Sequence, residues 1–188
     1  ISLGATVTST DYGAEVTLNF LIPTEEFDAL AEKVFDTTSG RVLTRRGEDK
    51  FMAYKNAADS AGLVIAEVGV WRNTLAADPA ERRKWMDYAV EQLRMADAIG
   101  ALCCVNVVGT PCGPRWDGGY RGNFSPELWK EAVAMIREII DTAKPKTARF
   151  CIESMPWMIP SSPDEYVRLI EDVDRAEFGT HLDVVNMI

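Results

Sequence analysis

Three stretches of this chain open with the same device, a small polar residue followed by proline: Asp78-Pro79, Ser125-Pro126 and Ser162-Pro163. A side-chain oxygen at the first position can accept from an amide of the first turn, and proline at N1 gives up no intrahelical hydrogen bond. Each pair is predicted to start a helix, with Glu81 and Glu165 at capping-box positions. Apolar residues recur at helical spacing behind the first start (Met86, Ala89, Val90, Leu93, Ala96) and behind the second (Trp129, Ala132, Val133, Ile136, Ile140). The third helix is predicted from Pro163 to about Asp174. Apolar, strand-like runs separate them at 63–71, 101–108 and 148–153, and a shorter one follows at 179–183. Alternation of helices with near-continuous apolar strands means a parallel sheet covered by helices. An open doubly wound sheet and a (β/α)₈ barrel both fit. No G-x-G-x-x-G or G-x-x-x-x-G-K-[ST] follows any strand, which weakens the nucleotide-binding open sheet.

The first third reads less clearly. Ile1 to Val7 is predicted as a first strand, and Thr24 as an N-cap before a helix carrying Phe27, Leu30, Ala31 and Val34 inward. Between 36 and 50 only Arg41 to Thr44 offers a strand. Asp49 to Ala61 resumes a helix, closed by Gly62. A barrel needs about 250 residues, so the chain is expected to hold about six of eight βα units. It begins at Ile1 and stops at Ile188 after an apolar run, and is expected to be a single barrel domain over 1–188, incomplete at its C-terminus.

A composition of 47% hydrophobic and 26% charged residues suits a globular core. The formal charge of −9 argues against nucleic acid and anionic membranes as partners, since phosphate binding needs a basic face. No apolar run approaches the roughly 18 residues of a membrane span, and no signal peptide is visible. The four cysteines, Cys103, Cys104, Cys112 and Cys151, form no C-x-x-C pair and read as reduced thiols of a cytoplasmic protein.

Chemistry concentrates at strand ends. Glu153 and Asp183 close the last two apolar runs, and ionised carboxylates on core strands are costly without a compensating charge. Two of them on successive strands suggest a shared cation. Residues two apart share a strand face, so Glu67, Asn106, Glu153, His181 and Asp183 are predicted to converge on one cavity at a C-terminal mouth. Oxygen ligands favour Mg²⁺ or Mn²⁺, and an imidazole shifts the choice toward Mn²⁺, Co²⁺ or Zn²⁺. The loop 109–124 brings Arg115, Trp116, Asp117, Tyr120 and Arg121 to the same mouth, and Trp71 and Trp157 fall just past strand ends. Donors, a carboxylate and stacking rings suit a sugar pocket. Duller roles stay open: a core histidine for His181, a structural network for Glu67, a loop tie for Asn106, aromatic packing for the loop.

The segments 62–71, 98–101, 104–109, 152–157 and 178–186 together resemble the sugar phosphate isomerase/epimerase family of xylose-isomerase-like TIM barrels. Relatives include ketose 3-epimerases, hydroxypyruvate isomerase, inosose dehydratase and catalytic subunits of C-glycoside deglycosidases. The resemblance implies a (β/α)₈ TIM barrel and a divalent metal, Mn²⁺ foremost and Mg²⁺ or Co²⁺ next. Family members hold it by Glu, Asp, His and Glu from their last four strands. Glu153 matches the first ligand and Asp183 the second; the other two are expected beyond Ile188. Glu153 would double as acid/base on a keto-sugar or sugar phosphate reacting through an enediolate, with His181 bonding a substrate oxygen. Glu67, Trp71, Asn106, Arg115, Trp116, Trp157 and Asn186 are the expected substrate-binding residues. Many members carry histidine three positions after the aspartate, where this chain has Asn186. A lyase of the same fold is the alternative, and a non-catalytic assembly module the second one. A homo-oligomer, or a hetero-oligomer with a smaller subunit, is the expected state.

Overall fold

The structure is a computed structural model, and it describes residues 6–12, 16–22, 26–42, 44 and 50–187. The chain divides into two compact units, Ile1–Asp49 and Lys50–Ile188.

In the first unit, β1 (Thr6–Tyr12) and β2 (Val16–Leu21) form a two-stranded antiparallel sheet, paired from Thr6 with Leu21 to Tyr12 with Val16, with a register shift between Val7 and Ser9. The sequence predicts a barrel strand over Ile1–Val7. Residues 1–5 of that stretch lie outside the described residues, and the rest belongs to this hairpin. The reason is chain length: a parallel partner requires a crossover of about a dozen residues or more, and three residues separate Tyr12 from Val16. Helix α1 (Phe27–Thr38) follows and ends on Ser39 and Gly40, both with positive φ. Its predicted cap, Thr24, lies outside the described residues. Of the strand expected at Arg41–Thr44, the described Arg41, Val42 and Thr44 belong to no strand.

In the second unit, α2 (Lys50–Ser60) precedes a four-stranded sheet of β3 (Glu67–Gly69), β4 (Cys103–Asn106), β5 (Arg149–Glu153) and β6 (Phe178–His181). Every neighbouring pair is parallel and the spatial order is the chain order. A doubly wound sheet reverses its strand order at a switch point. Sequential order without reversal is the barrel's arrangement. The crossovers are α3 (Pro79–Ala98), α4 (Pro126–Ala143) and α5 (Pro163–Val173).

All three helices start where the proline pairs predict. Asp78, Ser125 and Ser162 accept from the amides of Glu81, Leu128 and Glu165. The glutamates do something other than reach back to the cap residue. Glu165 accepts from the amide and hydroxyl of Ser161, and Glu81 accepts from the Trp85 indole. The predicted stripes of α3 and α4 face inward, and with Leu169 and Val173 of α5 they pack on Cys104, Phe150, Ile152 and Phe178 of the sheet. This core lies between sheet and helices. The apolar run 63–71 is longer than the strand it makes: β3 is an edge among the described strands, and Leu63 and Val64 stay exposed.

Candidate functional site

Side chains alternate across a strand, so with Cys104, Phe150 and Ile152 on the helix side, Cys103, Val105, Cys151 and Glu153 take the opposite face. Register extends that face outward: Glu67 pairs with Cys103, and His181 with Glu153. Three spacings of about 4.8 Å would put β3 and β6 about 14 Å apart in a flat sheet. Yet Glu67 Oε2 and His181 Nε2 lie 2.8 Å apart, joining the two edge strands. The face is concave.

The other ring nitrogen, His181 Nδ1, is buried without a hydrogen-bond partner among the described residues; Glu153 Oε2 stands 3.5 Å from it. The Glu153 side chain keeps only 13% of its surface, against 41% for Glu67. Burial raises the Glu153 pKa above the ordinary carboxylate range; His181 opposes the shift, and the charges of Asp183 and Glu67 add to it. Asp183 follows β6 in a tight turn, its Oδ1 accepting from the amides of Val185 and Asn186. Its Oδ2 accepts from Asn186 Nδ2 at 2.9 Å, and the same nitrogen lies 3.4 Å from Glu153 Oε1. Glu67, Glu153, His181, Asp183 and Asn186 therefore form one connected cluster.

The family model for the xylose isomerase-like TIM barrel matches residues 27–188. The chain belongs to that family. A second model, for a domain of unknown function, matches residues 1–41. No curated protein matches the chain. Among similar solved structures is a xylose isomerase-like TIM barrel protein from Mycobacterium smegmatis in complex with magnesium, 20% identical, TM-score 0.56, over 76% of this chain and 48% of that one. Another is D-psicose 3-epimerase from Clostridium cellulolyticum H10 with D-tagatose, 15% identical, TM-score 0.56, over 72% and 48%. An L-ribulose 3-epimerase is 14% identical, TM-score 0.60, over 78% and 49%. The chain spans about half the length of these structures, and at such identities the likeness is one of fold.

Glu153 Oε1 and Asp183 Oδ2 converge on one position, now held by an amide NH₂ group, which suits two oxygen ligands of a hard divalent cation. They fit as a pair. Among the described residues no group of three His, Cys, Asp or Glu side chains is placed to hold a metal.

The remaining predicted residues separate. Asn106 does share a face with Cys104, as its spacing predicts, but that is the helix face. It is fully buried, accepts from the Arg72 amide, and donates to the Arg72 carbonyl and Thr74 hydroxyl. It clips the loop after β3 and does not join the cavity expected for it. Trp71 takes a positive φ of 48° and lays its indole over Gly69, where a Cβ would sit 1.9 Å from Nε1. Trp116 packs against the core, while Arg115 is exposed and its guanidinium lies 3.5 Å from Asp117. Trp157, 43% exposed, lines a groove of about 400 Å³ with Gly119, Tyr120, Arg121 and Phe124.

Two positioning residues escape a reading by residue type. Asn123 is fully buried; it accepts from Thr110 Oγ1 and donates to the carbonyls of Gly118 and Trp157, joining the loops after β4 and β5. The Tyr166 hydroxyl lies 2.8 Å from the Ile152 carbonyl and 3.0 Å from that of His181, so one proton tethers both site strands. Tyr166 lies at helical spacing from Leu169 and Val173 on the buried side of α5, a signal that marks the position but not its hydrogen bonds. All four cysteines are free, and burial pushes Cys104 and Cys151 up to about 12.

Proposed function

We propose that the chain carries part of the active site of a divalent-metal-dependent isomerase or epimerase of keto-sugars or sugar phosphates, with Mn²⁺ the first candidate metal. One observation carries this reading: Glu153 and Asp183, on adjacent strand ends of a xylose isomerase-like barrel, aim carboxylate oxygens at a common point. The epimerases among the similar structures support the same class.

Glu153 and Asp183 would hold the metal, with further ligands supplied from outside the described residues. A bound divalent ion supplies Lewis-acid polarisation of a carbonyl. Glu153 Oε2, on the side of His181, removes and returns the proton of the carbon next to that carbonyl, a contribution typically of about 10²–10⁴-fold. Its burial keeps the carboxyl basic enough to take a proton. Glu67 fixes the His181 ring through Nε2, and Nδ1, which has no hydrogen-bond partner among the described residues, hydrogen-bonds a substrate oxygen.

The test is exchange of the ketose C3 proton with solvent deuterium, followed by NMR with Mn²⁺ present. Glu153→Gln is expected to lower the exchange rate at least 10²-fold while the fold is retained. Equal exchange by the variant and the parent chain would overturn Glu153 as the base, and unchanged metal content in both Glu153→Gln and Asp183→Asn would overturn the site.

A further inference from the structure

The carboxylates of Glu153 and Asp183 stand on different elements, and like charges brought together in a half-buried place repel strongly. The chain answers with a single side chain. Asn186 Nδ2 carries two protons, directed at Asp183 Oδ2 (2.9 Å) and Glu153 Oε1 (3.4 Å). Its position is set locally: its own amide donates to Asp183 Oδ1, beside the Val185 amide, so Asp183 aims the group that neutralises it. Ser154 Oγ, bonded to the Asp183 carbonyl, ties the turn to the end of β5. The NH₂ group therefore lies between the two carboxylate oxygens that would hold a shared cation.

We propose that Asn186 is a placeholder for the metal: its amide holds the two carboxylates in register without the ion and must turn away when the ion binds. This rests on the metal reading above and goes beyond it, because it assigns Asn186 a competing role rather than a ligating or substrate-binding one. Metal affinity is then set partly by a side chain that opposes it. Removing the amide removes the competitor and leaves Asp183 Oδ2 and Glu153 Oε1 without the donor they share, and both effects favour the cation. Loss of this charge-assisted hydrogen bond, which competes with the ion, is expected to raise the affinity about tenfold.

The experiment titrates Mn²⁺ alone into the metal-stripped full chain by calorimetry, for the parent chain and for Asn186→Ala, Asn186→Leu and Asp183→Asn. Leucine keeps the volume without a donor, so the conclusion does not depend on water entering an alanine gap. Both Asn186 variants are expected to bind Mn²⁺ about tenfold more tightly, to unfold at lower temperature without metal, and to gain more thermal stability from Mn²⁺ than the parent. Asp183→Asn is expected to lose the binding. If Asp183→Asn binds like the parent, the metal reading falls and the placeholder with it. If Asp183→Asn loses binding while both Asn186 variants bind equally or more weakly, the placeholder alone is overturned.

Discussion

Asp97, near the C-terminal end of α3, offers a test of how the strand that bears Glu153 is set in place. One oxygen, Oδ1, accepts from the amides of Lys146 (3.0 Å), Thr147 (2.7 Å) and Ala148 (2.9 Å) and from Thr147 Oγ1 (2.9 Å). These are the residues that lead into β5. Burial by itself would raise this carboxyl, but the four donors outweigh it and lower the pKa from 3.8 to about 2. At about 1.36 kcal/mol per pH unit that gap amounts to about 2.4 kcal/mol. The site is partly open to water, where screening reduces such a figure, and about 1–2 kcal/mol is the expected contribution. A depressed carboxyl stabilises the fold fully above its unfolded pKa, and the contribution is lost as pH falls from about 4 through about 2. Asp97→Asn keeps the shape and one acceptor while removing the charge. Urea unfolding should find the variant about 1–2 kcal/mol less stable at pH 7, with the two proteins converging near pH 2. Equal stability at pH 7, or a gap that does not narrow with acid, would refute the assignment of this stabilisation to the ionised carboxylate.

Two further substitutions probe the framework of the mouth. Tyr166→Phe removes the proton shared by the Ile152 and His181 carbonyls and is expected to cost about 1–2 kcal/mol in urea unfolding; no loss would mean that the hydroxyl does not tether the strands. Gly109 has a φ of +81°, and a Cβ there would stand 2.4 Å from Asn73 Oδ1, whereas Gly62, at +66°, meets nothing within 4 Å. Gly62→Ala should therefore cost only the backbone term of about 1 kcal/mol, and Gly109→Ala clearly more, because Asn73 would have to release Thr110. Equal melting temperatures for the two variants would count against the close approach.

Local chemistry alone determined much of this molecule. A cap involves residues three apart, so Asp78, Ser125 and Ser162 announced α3, α4 and α5 without reference to anything distant. The inward stripes of α3 and α4 followed from helical periodicity for the same reason. Strand parity was equally legible: Asn106 shares a face with Cys104, and Glu153 with Cys151. What parity could not say is which face is which. Strands of a covered parallel sheet are apolar on both sides, so nothing in the run 101–108 marks its helix side, and Asn106 turned out to lie there. The hairpin of β1 and β2 depended on a pairing choice rather than on composition. The candidate site shows the same division. That Glu153 and Asp183 end successive strands can be read from the chain, whereas the meeting of Glu67 with His181, 114 residues apart, exists only because the sheet curls. The contact of Asn186 with both carboxylates likewise needed β5 and β6 side by side.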